Sequence, residues 1–131
     1  MIIGVGIDLI EFQDFLRIYN FLKNRNLFKF IFYKEELVYI QDYKKLAGIC
    51  ALKEAVYKTI SPFLKREILF KDIKIIKLGK GQIVAEIPKD YFLRDYQKKF
   101  FFRKKSKINF HLSLSYSRNS VIAISLAEIN L

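Results

Sequence analysis

The chain has 131 residues, 52% of them hydrophobic and 16% aromatic, with 24 Lys and Arg against 13 Asp and Glu for a formal charge of +11. That length and apolar content support one domain, residues 1–131, with a core of its own, and exclude a disordered chain. No apolar run reaches the ~20 residues of a spanning helix, and the cationic excess points to an anionic partner: nucleic acid, a phosphorylated cofactor, an acidic protein or anionic lipid.

The N-terminus MIIGVGIDLIEF has neither a basic segment nor a small-residue cleavage site and does not read as a signal peptide. The single Cys50 leaves no intrachain disulfide and suits a reducing compartment. A soluble, cytoplasmic protein is expected.

Residues 1–10 alternate as a strand, with Ile3, Val5 and Ile7 on one face and Gly4, Gly6 and Asp8 on the other. The glycine face lets something approach the backbone closely, either a ligand or a packed helix. Residues 11–23 place Phe12, Phe15, Leu16, Tyr19 and Leu22 at helical spacing. An apolar patch follows at 27–32, and 34–43 reads as a helix with Glu35 and Glu36 near its start. Residues 47–60 form a helix that is apolar nearly all round and is ended by Pro62. Residues 70–87 read as a β-hairpin turning at Gly79-Lys80-Gly81. Residues 89–107 are basic and aromatic, a segment with one packed and one solvated face or a weak nucleic-acid signal. The final third is a second hairpin, INFHLSLSYS and VIAISLAEI around RNS. In its first strand Asn109, His111, Ser113, Ser115 and Ser117 share a polar face opposite Ile108, Phe110, Leu112, Leu114 and Tyr116.

The chemistry is carried by two carboxylates in apolar company, Asp8 and Glu54, with Lys58 one turn beyond Glu54. A buried carboxylate is costly unless a charge, a hydrogen-bond network or a metal compensates it. One Cys and one His are too few soft ligands for zinc, and no phosphate-loop or dinucleotide fingerprint is present. Two carboxylates with water and phosphate oxygens suit Mg²⁺. The residues therefore point to a Mg²⁺ site for a phosphorylated ligand, with Asp8 and Glu54 as ligands and Lys58 as phosphate partner.

GVGIDLIEF at 4–12, AGICALKEAVYK at 47–58 and FHLSLSYS at 110–117 resemble three signatures of the short holo-[acyl-carrier-protein] synthases of the 4'-phosphopantetheinyl transferase superfamily, and FKDIKI at 70–75 resembles that family's first hairpin strand. The resemblance implies an α+β fold, a small antiparallel sheet packed against a long buried helix. It implies transfer of phosphopantetheine from coenzyme A to a serine of an apo acyl carrier protein, releasing adenosine 3',5'-bisphosphate, in fatty acid biosynthesis. Mg²⁺ would be the cofactor, bound by Asp8 and Glu54. Catalysis would fall to Asp8, Glu54 and Lys58, with the serine deprotonated by a metal-associated water or by Glu54. Coenzyme A would meet Lys58, Ser113, Ser115 and Tyr116. The expected partners are an acidic acyl carrier protein and two further copies, in a homotrimer with shared sites, and no membrane. Nucleic acid enters only under the alternative of a basic nucleic-acid-binding domain; a second alternative is a coenzyme A-binding member without turnover. Five departures from the family pattern stand out: Ile49 and Tyr116 replace the usual Arg and His, Asp14 replaces the carrier-docking Arg, the hairpin turn reads GKGQI, and SPFL follows the long helix. Arg17, Lys23, Arg25 or Lys80 are the available compensating cations.

Overall fold

The computed structural model of the chain describes residues 1–102 and 105–130. Strand β1 (Ile2–Glu11) leads straight into helix α1 (Phe12–Asn24), whose apolar stripe of Phe12, Phe15, Tyr19 and Leu22 is buried. Asn26 stops the helix by adopting the left-handed conformation, which Asn tolerates better than most residues. Helix α2 (Tyr43–Ile60) follows, capped by Asp42, whose side chain accepts a hydrogen bond from the Lys45 amide at 3.2 Å. Strands β2 (Lys74–Lys77) and β3 (Ile83–Glu86) form a short hairpin. Helix α3 (Arg94–Phe100), the two-residue strands β4 (Phe101–Phe102) and β5 (Lys105–Ser106), and the long strands β6 (Ile108–Tyr116) and β7 (Ser120–Ile129) complete the chain.

The main sheet is antiparallel with order β1-β7-β6, and α2 packs across one face of it. This is the expected α+β arrangement. Small residues bring helix and sheet together: Ala47, Ala51 and Ala55 on α2 and Ala123 and Ala127 on β7 are fully buried. The glycine face of β1 is filled by this helix. A Cβ on Gly6 would lie 2.0 Å from the Ala55 carbonyl oxygen, and one on Gly4 would lie 2.5 Å from that of Thr59. Of the two occupants the sequence allows there, the packed helix is the one observed. The apolar face of the same strand is open: Val5, Ile7 and Leu9 are each more than half exposed.

Three sequence expectations are corrected. Residues 34–43 do not form an α-helix; Lys34–Tyr39 is a 3₁₀ turn, because the Glu36 carboxylate turns back to accept from the Tyr33 amide and Asp42 starts a new helix. The long helix begins at Tyr43 rather than Ala47, since its cap lies in a polar stretch without apolar periodicity. The hairpin strands are shorter than 70–87 suggests, with Phe70–Asp72 in a 3₁₀ turn. In the basic segment Arg103 and Lys104 lie outside the described residues; α3 buries Phe100 and exposes Lys98 and Lys99, the one-sided pattern expected there.

The sequence gives no warning of an ion pair inside the core. Lys53 and Glu36 are both buried, with Nζ and Oε1 2.7 Å apart. Lys53 also donates to the carbonyls of Phe70 (2.8 Å) and Ile73 (2.7 Å), and Glu36 accepts from the amides of Tyr33 and Ile75, each at 2.9 Å. Every strong valence of the pair is met, which is what a buried pair requires. Burial pushes the Glu36 carboxyl above and the Lys53 ammonium below its ordinary pKa, and their mutual attraction opposes both shifts.

Two predictions follow from this packing. Gly6→Ala forces a methyl into a backbone oxygen that cannot yield, and should cost about 3 kcal/mol in urea unfolding. Gly48→Ala meets side-chain rather than backbone atoms, the hydroxyl end of the half-exposed Tyr116 ring and, at ordinary contact distance, Leu114, and gains helix propensity, so it should change stability by less than ~1 kcal/mol. For the buried pair, Glu36→Gln or Lys53→Met alone should each cost about 3–5 kcal/mol, and the double variant clearly less than their sum.

Candidate active site

The close seating of α2 on β1 decides where Asp8 points. Gly6 and Asp8 share the helix-facing side of the strand, and Asp8 is opposite Ala123, which is opposite Leu114 on β6. With no side chain at Gly4 or Gly6 to lift the helix, its C-terminal turns lie against the strand. Lys58 reaches across the gap: its ammonium donates to Asp8 Oδ1 at 3.1 Å and to the Ile7 carbonyl at 3.0 Å. The sequence spacing suggests a Glu54–Lys58 pair along the helix; the structure pairs Lys58 with Asp8 instead. Asp8 is 16% exposed and Lys58 47%, so the pair contributes at most about 1 kcal/mol to stability. Its placement at the edge of the sheet leaves both groups able to meet a ligand.

Glu54 stands one turn before Lys58, half-buried, and makes no hydrogen bond or ion pair among the described residues. Cys50 lies one turn earlier again on α2 and is buried. Burial pushes its thiol up to about 12, with Lys53 opposing and Glu36, Asp8 and Glu54 all adding to the rise. Such a thiol is no nucleophile at neutral pH, consistent with a core role for Cys50.

The donor set fits Mg²⁺. Asp8 and Glu54 offer hard carboxylate oxygens, and among the described residues no group of three or more His, Cys, Asp or Glu stands together as a richer metal cage. Mg²⁺ accepts one or two carboxylates and keeps its remaining positions for water and phosphate, so Asp8 and Glu54 are residues of the type that would hold it.

The other expected site residues are placed elsewhere in the single chain. Ser113 and Ser115 lie on the outer face of the sheet, away from α2, and on the edge strand opposite β1. Tyr116 is on the inner face: its hydroxyl lies over Gly48, where an added Cβ would come within 2.2 Å, and its ring stacks on Phe12 at 6.2 Å. Partial burial raises its pKa, with a smaller contribution from Asp42. Among the described residues no hydrogen bond or ion pair joins Ser113, Ser115 or Tyr116 to Asp8, Glu54 or Lys58. Nor does Arg17, Lys23, Arg25 or Lys80 reach the carboxylates; Lys23 and Arg25 lie over the rings of Tyr19 and Phe21. Ile49 is core, packed beside Ile75. Lys53 is what the sequence reading passes over. Its signal is its position on a helix with almost no polar face, where a lysine requires a buried partner.

The chain is similar to known proteins over nearly its whole length. A family model described as the 4'-phosphopantetheinyl transferase superfamily matches residues 4–125. The holo-[acyl-carrier-protein] synthase of Clostridium tetani is 32% identical over 133 residues, covering 98% of this chain and 97% of that protein. The enzyme of the same description from Pelagibacter ubique is also 32% identical, covering 97% of each. The crystal structure of Helicobacter pylori holo-[acyl-carrier-protein] synthase in complex with coenzyme A superposes with a TM-score of 0.72 at 25% identity, over 95% of this chain and 99% of that one. The Mycobacterium tuberculosis acyl carrier protein synthase shares the fold, with a TM-score of 0.69 at 23% identity over 99% and 100% of the two chains. The matched span includes Asp8, Glu54 and Lys58, and the likeness runs nearly the full length: the chain belongs to the holo-[acyl-carrier-protein] synthase family of the 4'-phosphopantetheinyl transferase superfamily.

Proposed function

We propose that this chain, a transferase of the holo-[acyl-carrier-protein] synthase family, moves 4'-phosphopantetheine from coenzyme A to a serine of an apo acyl carrier protein, with Mg²⁺ held by Asp8 and Glu54. The observation that carries the reading is the meeting of Asp8 and Lys58 at 3.1 Å beside Glu54, across a helix–strand contact with no room for side chains. Asp8 and Glu54 would hold Mg²⁺, which would offset the negative charge that builds up during phosphoryl transfer. Lys58 keeps part of its ammonium open to solvent and is placed to donate to the phosphate whose charge grows as its bond breaks. The carrier serine oxygen forms a bond to the β-phosphorus, its proton passes to the Glu54 carboxylate, and the bond to adenosine 3',5'-bisphosphate breaks. The pathway served is fatty acid biosynthesis and the location cytoplasmic, in keeping with the absence of a membrane-crossing helix among the described residues.

The assembly we propose is a homotrimer. Its support is the outer sheet face, where Leu9–Ile122, Ile7–Ile124 and Val5–Leu126 form three paired rows, with Val5, Ile7, Leu9, Ile122 and Ile124 exposed. An apolar surface of that extent on a soluble chain marks a contact. Ser113 and Ser115 continue these rows on β6, so covering the face with a neighbouring copy brings them to that copy's carboxylates.

Incubation with apo carrier, coenzyme A and Mg²⁺ should add one phosphopantetheine to the carrier, read by mass spectrometry. Asp8→Ala and Glu54→Ala should each lower the rate at least about a hundredfold with the fold intact by circular dichroism, and near-normal turnover in either would remove the metal assignment. Bound coenzyme A without any carrier mass gain would instead identify a member without turnover. Ile124→Glu should convert the trimer to monomer in sedimentation velocity and lose transfer with it.

A further inference from the structure

We propose that the face built by the turns Phe28–Phe30, Lys34–Tyr39 and Phe70–Asp72 with the start of β2 docks on an anionic phospholipid surface. Four lysines, Lys29, Lys34, Lys71 and Lys74, line one open cleft of about 440 Å³ there, against Glu35 and Asp72. Asp72 already accepts a hydrogen bond from the Tyr91 hydroxyl. None of the four lysines makes an ion pair among the described residues; Lys29 and Lys74 lie over the rings of Phe30 and Tyr33. The platform beneath them is rigid, because the buried Lys53–Glu36 pair ties the Lys34–Tyr39 turn to the carbonyls of Phe70 and Ile73.

The rim distinguishes the occupant. Phe30, next to Lys29 in the first turn, and Leu69, immediately before the Phe70–Asp72 turn that packs against it, are each 58% exposed. Leu69 gains nothing from a nucleic-acid backbone, whereas an apolar tip among lysines gains both from headgroup phosphates and from the acyl boundary. Asp8, Glu54 and Lys58 do not line this cleft, so the surface is separate from the transferase centre. It departs from the expectation that membranes play no part.

The full chain should co-sediment with vesicles containing phosphatidylglycerol and not with phosphatidylcholine alone, less so as salt rises. Lys34→Glu with Lys71→Glu should weaken binding by about tenfold or more. Phe30→Ser with Leu69→Ser should weaken it several-fold, and both pairs should leave carrier modification and thermal stability at wild-type values. Lys98→Glu with Lys99→Glu on α3, an equal change of net charge, should bind like wild type. Equal loss in that control, binding indifferent to Phe30 and Leu69, or complete displacement by a single-stranded oligonucleotide would each overturn the proposal, the last two in favour of a general polyanion site.

Discussion

The structure depends on how closely α2 lies against β1. The distance is set by Gly4 and Gly6, above which the carbonyls of Thr59 and Ala55 occupy the space where side chains would begin. Dispersion between surfaces this close is individually small and collectively large, and the small residues of α2 and β7 extend the contact along the helix. Because both partners are regular backbone, neither can move aside locally. The contact therefore fixes the offset between strand and helix, and with it the distance from Asp8 to Lys58.

A second constraint acts on the far side of α2. There Lys53 and Glu36 bind the helix to the 3₁₀ turns and to β2 through directional bonds. A hydrophobic pair of similar volume would often be as stable. The ion pair instead specifies register, since its two ends must meet four particular backbone groups. The helix is thus held by shape against the sheet and by polar geometry against the turns, and the edge between them carries Glu54 and Lys58.

The charge distribution follows the same division. Acidic groups are few; Asp8 on β1 pairs with Lys58 of α2 at one edge of the sheet, while lysines occupy the turn layer on the other side of the helix. The outer sheet face is apolar where a single chain should be wet. Ser113 and Ser115 lie on that outer face, on the edge strand opposite β1, whereas Asp8 lies on the helix-facing side; the proposed association of copies through the apolar rows is what would bring them to a neighbour's Asp8.

Most of the regular elements, and two acidic residues in apolar surroundings, are legible in the sequence. Period-2 alternation in β1 and around the RNS turn, and the apolar run of α2, are local patterns that survive folding because burial rewards them directly. Asp8 and Glu54 were legible because carboxylates in apolar surroundings are rare and costly. The tertiary structure alone decided what the glycine face receives, whether Lys58 turns to Glu54 or to Asp8, and that Lys53 and Glu36 share the core. Each of these depends on two segments distant in the chain, and the energies involved arise from contact distances of a few ångströms that no spacing along one segment encodes. The helix expected at 34–43 failed for the same reason: its propensity was adequate, but Glu36 was committed to a lysine on another helix.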